Sequence, residues 1–499
     1  MRTKATRWAV GAAAAVLGVS ALLVAGTNVL LRTQILRRLI NEDPGRLSGE
    51  WSEPGAWIPG RIRLGSFTLR SQDGNVEWEA RLENVQIQFS LIDLARRRFH
   101  ARHVRATHLA FRLRERLRRD EATPELVARY PRIAGFADPP LLENPPPHPS
   151  GGGRPWRILL DDLAIENVTG IWIDAWRWEG SARLHGGFEL LPGREAKVLP
   201  SDLEVVSGEL HHGTAAVTEG TRGVVSCAIP RFDTQAFPGN DVWKLIAGSA
   251  ALRARLSGLA FLSSDGKGAR FSGGAGDVRF GVALADASGR ARLIVSAHDV
   301  KARAGTRRFR GSVRADVHLP RLDFGDFSAS LNGSRVTLRD VAVDGAAGRP
   351  WSAELRTPAA RLDLKNGGLA GHVDGRFADA RPVVALLPAG LPKWVAGLLD
   401  LSDLSVSTNA AVGPGVLEVT AARAAAGTYE LSGDYRDRGR DRWGALLVRS
   451  GSVALGVGVT ETGTTLHPLG AVAWFEGEDR PGGLRSSRRP RNGITVAAK

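Results

Sequence analysis

The chain has 499 residues, with 67 Lys+Arg against 52 Asp+Glu, a formal net charge of +15, 43% hydrophobic residues and 24% charged residues. This apolar content supports a large core and excludes a disordered or collagen-like chain. A single cysteine, Cys227, and a single methionine exclude an internal disulfide, zinc ribbons, redox cysteine pairs and Met-rich copper sites.

The basic excess sits at the two ends. Residues 1–120 carry a net +10 and residues 480–499 a net +6, which leaves 121–479 at −1. A neutral body without a recognition motif excludes a nucleic-acid track, so no nucleic-acid partner is expected.

Residues 1–8 contain Arg2, Lys4 and Arg7, which favour a cytoplasmic N-terminus. Residues 9–31 (AVGAAAAVLGVSALLVAGTNVLL) form a charge-free run of 23 residues, long enough for one membrane-spanning helix. The alternative is a cleaved signal peptide with Val24-Ala25-Gly26 as its small-residue site. The apolar run continues through Val29, Leu30 and Leu31, which favours an uncleaved anchor. In residues 32–40, Ile35, Leu36, Leu39 and Ile40 fall at helical spacing and extend the helix into the headgroup zone.

Beyond Asn41 the dominant signal is period-two alternation broken by Gly, Asp and Asn, which predicts strands with one dry face. In a first β unit, residues 41–119, Val76, Trp78, Ala80 and Leu82 share a face opposite Glu77, Glu79, Arg81 and Glu83. The apolar parity then moves to Val85, Ile87 and Phe89, which predicts a β-bulge. An Arg-rich stretch follows from Arg96 to Arg119. In it Arg112, Arg114 and Arg116 share a strand face suited to anionic headgroups, the competing reading being a solvated outer face that deters edge pairing.

Residues 120–155 read as a helix around Glu121–Tyr130 followed by a Pro/Gly-rich linker, PPLLENPPPHPSGGGRP. Residues 156–477 read as a long β body. In it Trp172, Trp176 and Trp178 are expected on one strand face, either as core or at a headgroup boundary. The alternation returns at Val278, Phe280, Val282 and Leu284; at Val313, Ala315, Val317 and Leu319; and at Leu404 and Val406. A second change of parity, from Leu322 and Phe324 to Phe327, Ala329 and Leu331, predicts another bulge. Short helices are expected near 235–247 and 379–399, and a basic disordered tail over 478–499.

No Gly-x-Ser-x-Gly elbow, His-Glu-x-x-His or phosphate-binding Gly-rich loop is present, and Asp161-Asp162 reads as an acidic pair at a strand end. His100, His103 and His108 do not share one strand face, and His211-His212 point to opposite sides. No catalytic residue, metal site or cofactor is predicted.

About 18–20 strands with one apolar face need a cover, and the few helices cannot supply it. The face must close on a second sheet, curl into a barrel, or curl into a trough that receives apolar material.

The anchor, Gly60-Arg-Ile-Arg-Leu-Gly-Ser-Phe-Thr-Leu69, Val85-Gln-Ile-Gln-Phe-Ser-Leu-Ile-Asp-Leu94 and His103-Val-Arg-Ala-Thr-His-Leu-Ala-Phe-Arg-Leu113 resemble the start of AsmA-like proteins, the group that includes TamB. Leu386-Leu-Pro-Ala-Gly-Leu-Pro-Lys-Trp-Val-Ala-Gly-Leu-Leu399 is similar to a later part of some relatives. The resemblance implies a mainly β fold: a transmembrane helix, then a long, curled, mostly antiparallel sheet forming an open groove, with a few short helices. It implies an inner-membrane anchor, a periplasmic body and phospholipid as partner, with an envelope protein as a possible second partner. At about 4.8 Å per strand such a groove would be about 90–100 Å long, too short to bridge two membranes alone.

The function expected from these readings is holding acyl chains in the groove, lined by the alternating apolar residues named above, for lipid transfer or outer-membrane assembly. The alternative is a closed β-sandwich that binds other polypeptides.

Overall fold

The structure is a computed structural model. It describes residues 20–477 except 22, 30, 34–36, 39, 42–46, 91–92, 94–95, 144–155, 193, 235, 237–238, 264–269, 305–306, 344–349, 380–401, 440 and 462. The fold is mainly β, with 23 strands among the described residues, and it divides into two compact units, residues 1–305 and 306–499.

The first unit contains β1 (Leu47–Ser52), β2 (Gly55–Ile58), β3 (Arg61–Gln72), β4 (Val76–Phe89), β5 (Arg98–Glu115), β6 (Arg157–Ile173), β7 (Trp176–Leu191), β8 (Glu195–His212), β9 (Ala215–Asp233), β10 (Ala247–Leu256), β11 (Arg270–Ala285) and β12 (Ser288–Ala304). β1 and β2 both pair with β3, and from β3 onward each strand pairs with the next in sequence. The ladder between β5 and β6 is parallel and the others in this unit are antiparallel. Hence residues 120–155 do not separate two β bodies, because the strands on either side of them are hydrogen-bonded from Arg98↔Arg157 to Leu113↔Ile173.

Tight reversals set the order. The β6–β7 loop is Asp174-Ala175, with Asp174 at φ 50°, and the β11–β12 loop is Asp286-Ala287, at φ 49° and 59°. Positive φ at both central residues of the β11–β12 loop, and at the first of the β6–β7 loop, twists the chain in the sense that antiparallel neighbours need. The first reversal overturns the expected tryptophan stripe: Trp172 pairs with Arg177, whereas Trp178 pairs with Ile171 on the other face.

The parity change after Leu82 is made at Asn84, φ 51°, without a slip against β3, since Leu64↔Val85 and Phe67↔Leu82 belong to one register. The ladder to β5 slips further on, between Gln86 and Gln88. The second expected bulge is instead a chain reversal. β13 ends at Asp323 and returns as β14, with Asp323↔Ser328, and the Asp323 carboxylate accepts from the amides of Gly325 and Asp326 at 3.0 and 3.2 Å.

The first unit curls strongly. Asn75, in the β3–β4 turn, donates through Nδ2 to the Thr234 carbonyl just beyond β9 at 2.8 Å. These residues lie at opposite ends of their strands, and in a flat sheet β4 and β9 would be about 24 Å apart. Opposite strand ends therefore meet, and the apolar face of the strands between them is enclosed. Val85, Val104, Ile165, Val168 and Ala182 are each 1% exposed or less.

The second unit contains β13 (Arg307–Asp323), β14 (Ser328–Ser330), β15 (Ser334–Val343), β16 (Trp351–Asp363), β17 (Leu369–Asp379), β18 (Ser402–Gly413), β19 (Val416–Ala426), β20 (Tyr429–Arg438), β21 (Asp441–Ser450), β22 (Val453–Thr460) and β23 (Gly463–His467). It is an antiparallel succession in which β14 is a short insert between β13 and β16. A short helix, Ala471–Glu476, places Trp474 against Gly456 and stacks it on His467 at 4.1 Å. Gly456 pairs with Leu447, so this helix covers the face opposite Val448.

Helices are short, as expected. Residues 121–130 contain one turn, Pro124–Val127, capped by Thr123 Oγ1, which accepts from the Leu126 amide at 3.3 Å. Residues 235–247 contain a 3₁₀ segment, Gly239–Leu245. The helix expected at 379–399 falls, apart from Asp379, outside the described residues, as do the tail, residues 1–8 and residues 9–19 of the expected anchor. No helix among the described residues is long and apolar enough to cross a membrane. Residues 20–32 are helical where described and dock on the sheet edge. Asn28 exchanges two hydrogen bonds with the backbone of Ala56, at 2.7 and 2.9 Å, and Trp51 Nε1 donates to the Leu31 carbonyl at 3.1 Å. Leu23 and Val29 on the same helix are 41% and 57% exposed.

Candidate functional site

Cross-strand register lines the apolar residues up into rows. In the first unit one row runs Trp51–Phe67–Leu82–Leu109–Val168 and continues Ala182–Val205–Gly223–Leu252–Phe280–Leu293. Every member is apolar or glycine, because directly paired residues share a face. In the second unit a row runs Ala315–Val336–Leu355–Gly375–Val406 and continues Ala424–Leu431–Val448–Leu455.

Exposure along the first row changes with position. Trp51, Leu82, Val168, Ala182 and Val205 are buried, whereas Leu252 and Leu293 are half-buried and Phe280 is 37% exposed. Near β1 the face is filled by its own side chains. Leu31, Ile40, Trp51, Phe67, Phe99 and Ile158 border a wholly apolar cleft with a cavity of about 70 Å³. That is the space of about two water molecules and too little for an acyl chain as the side chains stand. Because β1 and β6 both border this cleft, the curl begins at the first strand.

The filling depends on one close approach. Trp178 lies over the Gly180–Gly208 pair, and a Cβ at Gly208 would sit 2.3 Å from its Nε1. Only glycine leaves room there for the indole.

The residues singled out from the sequence fall as follows. Val76, Trp78, Ala80 and Leu82 lie on β4, in the enclosed part, with Leu82 buried and the other three half-buried. Val278, Phe280, Val282 and Leu284 lie on β11, where the face is only half-covered. Val313, Ala315, Val317 and Leu319 are half-buried on β13. Leu404 is buried with Ala426 in a small cluster that also takes Phe377 and Val406. Register places Leu82 and Phe280 in one row and Ala315 and Val406 in another. Leu252, Leu293, Leu355 and Leu431 were missed, although the Ala250–Leu252–Ala254 alternation carries the same signal.

The proposed arginine stripe is not a surface. Arg114 is 1% exposed: its Nε donates to Glu77 at 2.7 Å, and its other nitrogens donate to the carbonyls of Pro131 and Ala137 and to Asp138. Arg116, 3% exposed, donates to the Asp73 and Leu141 carbonyls, both at 2.8 Å. Arg112 is half-exposed, 3.6 Å from Glu79, and donates to the Arg132 carbonyl. Residues 116–142 pack over this polar face of β4 and β5, so Arg114 and Arg116 cannot reach a headgroup. A Pro-rich segment read as helix and linker is thus the cover of a buried ion-pair network.

Burial also moves several carboxylates upward. Asp73, Glu77, Glu115 and Asp174 all titrate above the ordinary carboxylate range because desolvation disfavours their charged forms. Asp174 accepts the Glu115 amide at 2.7 Å and does not ion-pair with a cation in its turn. A group whose folded pKa is raised binds more protons folded than unfolded, so its contribution favours folding at low pH and is lost as pH rises through the folded value. Asp174→Asn, which keeps the acceptor and tolerates positive φ, is therefore expected to raise stability at pH 7. It should also reduce the gain seen between pH 7 and the ordinary carboxylate range, as urea titrations at several pH values would show.

His100 contacts Asp161 through Nε2 at 2.6 Å and Asp93 through Nδ1 at 3.5 Å, on opposite edges of its ring, and His103 hydrogen-bonds Asp162. No group of three such side chains suited to a metal occurs among the described residues. Burial pushes the Cys227 thiol up, away from thiolate reactivity.

Comparison with protein-family models, with curated proteins and with solved structures gives no match for this chain.

Proposed function

We propose that this chain is a membrane-anchored periplasmic protein that holds phospholipid acyl chains along its apolar strand face and so contributes to lipid transfer or envelope assembly. Residues 9–31 are its inner-membrane anchor, and the open stretch of the face is a groove. The observation that carries this reading is the unbroken apolar row of the first unit, which passes from a buried section to a half-exposed one at Leu252, Phe280 and Leu293. A closed sandwich would bury these side chains as deeply as Val168, so the exposure of Phe280 favours the groove.

An acyl chain laid on this face gains about 25 cal/mol for each Å² of apolar area removed from water, while its headgroup stays solvated. Successive rows offer similar surroundings, so a lipid can shift along them at little cost. Direction must then come from a gradient or a partner, since equal affinity at every row biases nothing. The likeness of residues 60–113 to AsmA-like proteins and the exposed Leu23 and Val29 on the helix over residues 20–32 support the same reading.

Lipid mass spectrometry on detergent-extracted protein tests it. Wild type should retain phospholipid, and the Val282→Asp/Val317→Asp variant should lose most of it. Equal lipid in the two samples would overturn the proposal.

A further inference from the structure

We propose that the ends of β5 to β9 near Arg157 form a binding site for a phosphate-bearing anion, the headgroup of an anionic phospholipid. This deepens the lipid reading and rests on it for the source of the phosphate.

Arg96, Arg97, Arg98, Arg157, Lys197 and Arg231 border a cavity of about 390 Å³, facing two carboxylates, Glu189 and Glu195. The cations come from four separate places in the chain: the β4–β5 turn, the start of β6, the start of β8 and the end of β9. Register brings them together, with Arg98↔Arg157 across the parallel ladder and Glu189↔Lys197 across β7 and β8. Six cations in one cavity repel one another unless an anion joins them. Glu189 supplies part of that charge, accepting from Arg231 at 2.9 Å and from Arg157. Its carboxylate is mostly buried, and it fixes the two guanidiniums as a positioning residue. Each guanidinium has five N–H donors in a rigid fork, more than one carboxylate can take. The remaining excess of positive charge and donors matches a phosphate.

The adjacent row is apolar. Next to Arg98, Arg157, Lys197 and Arg231 along their strands stand Phe99, Ile158, Ala196 and Phe232, on the opposite face. Phe99↔Ile158, Ile158↔Leu190, Leu190↔Ala196 and Ala196↔Phe232 make this a continuous apolar row. Phe99 and Ile158 border the apolar cleft described above. Cations and apolar row therefore occupy opposite faces of the same strand ends, and their side chains point away from each other, so the cavity takes the headgroup and not the acyl chain.

The test uses the full chain in neutral detergent at low salt, with fluorescent phosphatidylglycerol, phosphatidylcholine and diacylglycerol as probes. Wild type should prefer phosphatidylglycerol. Arg98→Gln/Lys197→Gln, which leaves the Glu189 pairs in place, should weaken phosphatidylglycerol binding about tenfold, the loss of one charge-assisted hydrogen bond or more. Diacylglycerol, which has no phosphate, should bind both proteins alike. Unchanged phosphatidylglycerol affinity in a variant that melts like wild type would overturn the site. Free glycerol phosphate that competes as well as the lipid would overturn the headgroup assignment and leave a soluble phosphate ligand. Failure of the groove reading looks different: diacylglycerol would then bind neither protein, while the headgroup preference of wild type would persist.

Discussion

Replacing Arg114 by Ala is expected to lower the unfolding free energy of the first unit by about 3–5 kcal/mol, the usual cost of stranding one partner of a buried ion pair. Arg114 and Glu77 are 1% and 3% exposed in their side chains and 2.7 Å apart. Removing the guanidinium leaves the Glu77 carboxylate in a desolvated site with Arg116, 3.9 Å away, as its nearest remaining cation. The carbonyls of Pro131 and Ala137 lose their donor in the same step, so the cover formed by residues 116–142 loosens. Arg112 is the internal control, since its side chain is 45% exposed and its removal should cost less than about 1 kcal/mol. Urea unfolding followed by tryptophan fluorescence compares the two variants. Similar midpoints for Arg112→Ala and Arg114→Ala would show that the network is not stabilising the fold.

The second large effect is a contrast between two positions on one apolar face. Val168 is 0% exposed, and Val168→Asp places a carboxylate among hydrocarbon with no cation to meet it. Burying an unpaired charge costs several kcal/mol, a large part of the 5–15 kcal/mol that holds an ordinary domain together. The first unit should fail to fold, or should fold only with that carboxyl protonated. Val282→Asp carries the same chemistry to a half-exposed site between Ala250 and Ala291, where water can solvate the charge. There the protein should remain folded, with a stability change of about 1 kcal/mol or less. If both variants unfold, the face at β11 is as closed as the face at β6, and the groove proposal fails with it.

Much of the strand pattern is legible because period-two alternation is a local property. Val278 to Leu284 and Val313 to Leu319 read directly as strand faces, and the structure places them so. The turns were less legible. Gly325-Asp326 looks like a bulge within one strand, yet Asp323 ties the amides of Gly325 and Asp326 into a reversal. The alternation is the same in both cases, and only the pairing Leu322↔Ala329 distinguishes them. Ile173-Asp174-Ala175-Trp176 misled in the same way, because a two-residue loop preserves the spacing of a continuous strand.

What stayed out of reach was contact between distant parts of the chain. Glu77 and Glu79 alternate with apolar neighbours and read as a solvent face, yet they are 2% and 8% exposed. Their cover comes from residues that a Pro-rich composition marks as a loop. The cation cavity is a similar case. Arg157, Lys197 and Arg231 sit far apart in sequence within a body of nearly neutral charge, and only the ladder register assembles them. The rows themselves could be anticipated in kind but not in membership, since the register shifts between Leu160 and Leu163 and between Ile165 and Val168 decide which residue joins which row.

Pairing between strands that follow one another in sequence, described above for each unit, has a consequence for how such a chain can change its size. Excising two successive antiparallel strands brings together neighbours that already run in compatible directions, and shortens the ladder by about 10 Å. Duplication of a hairpin lengthens it by the same amount, much as in modular repeat arrays, where each element answers only to those beside it. The parallel β5–β6 junction is the exception. Loss of β5 and β6 together would leave β4 and β7 running in the same direction, so that joint is a fixed point around which the rest of the chain is free to grow or contract.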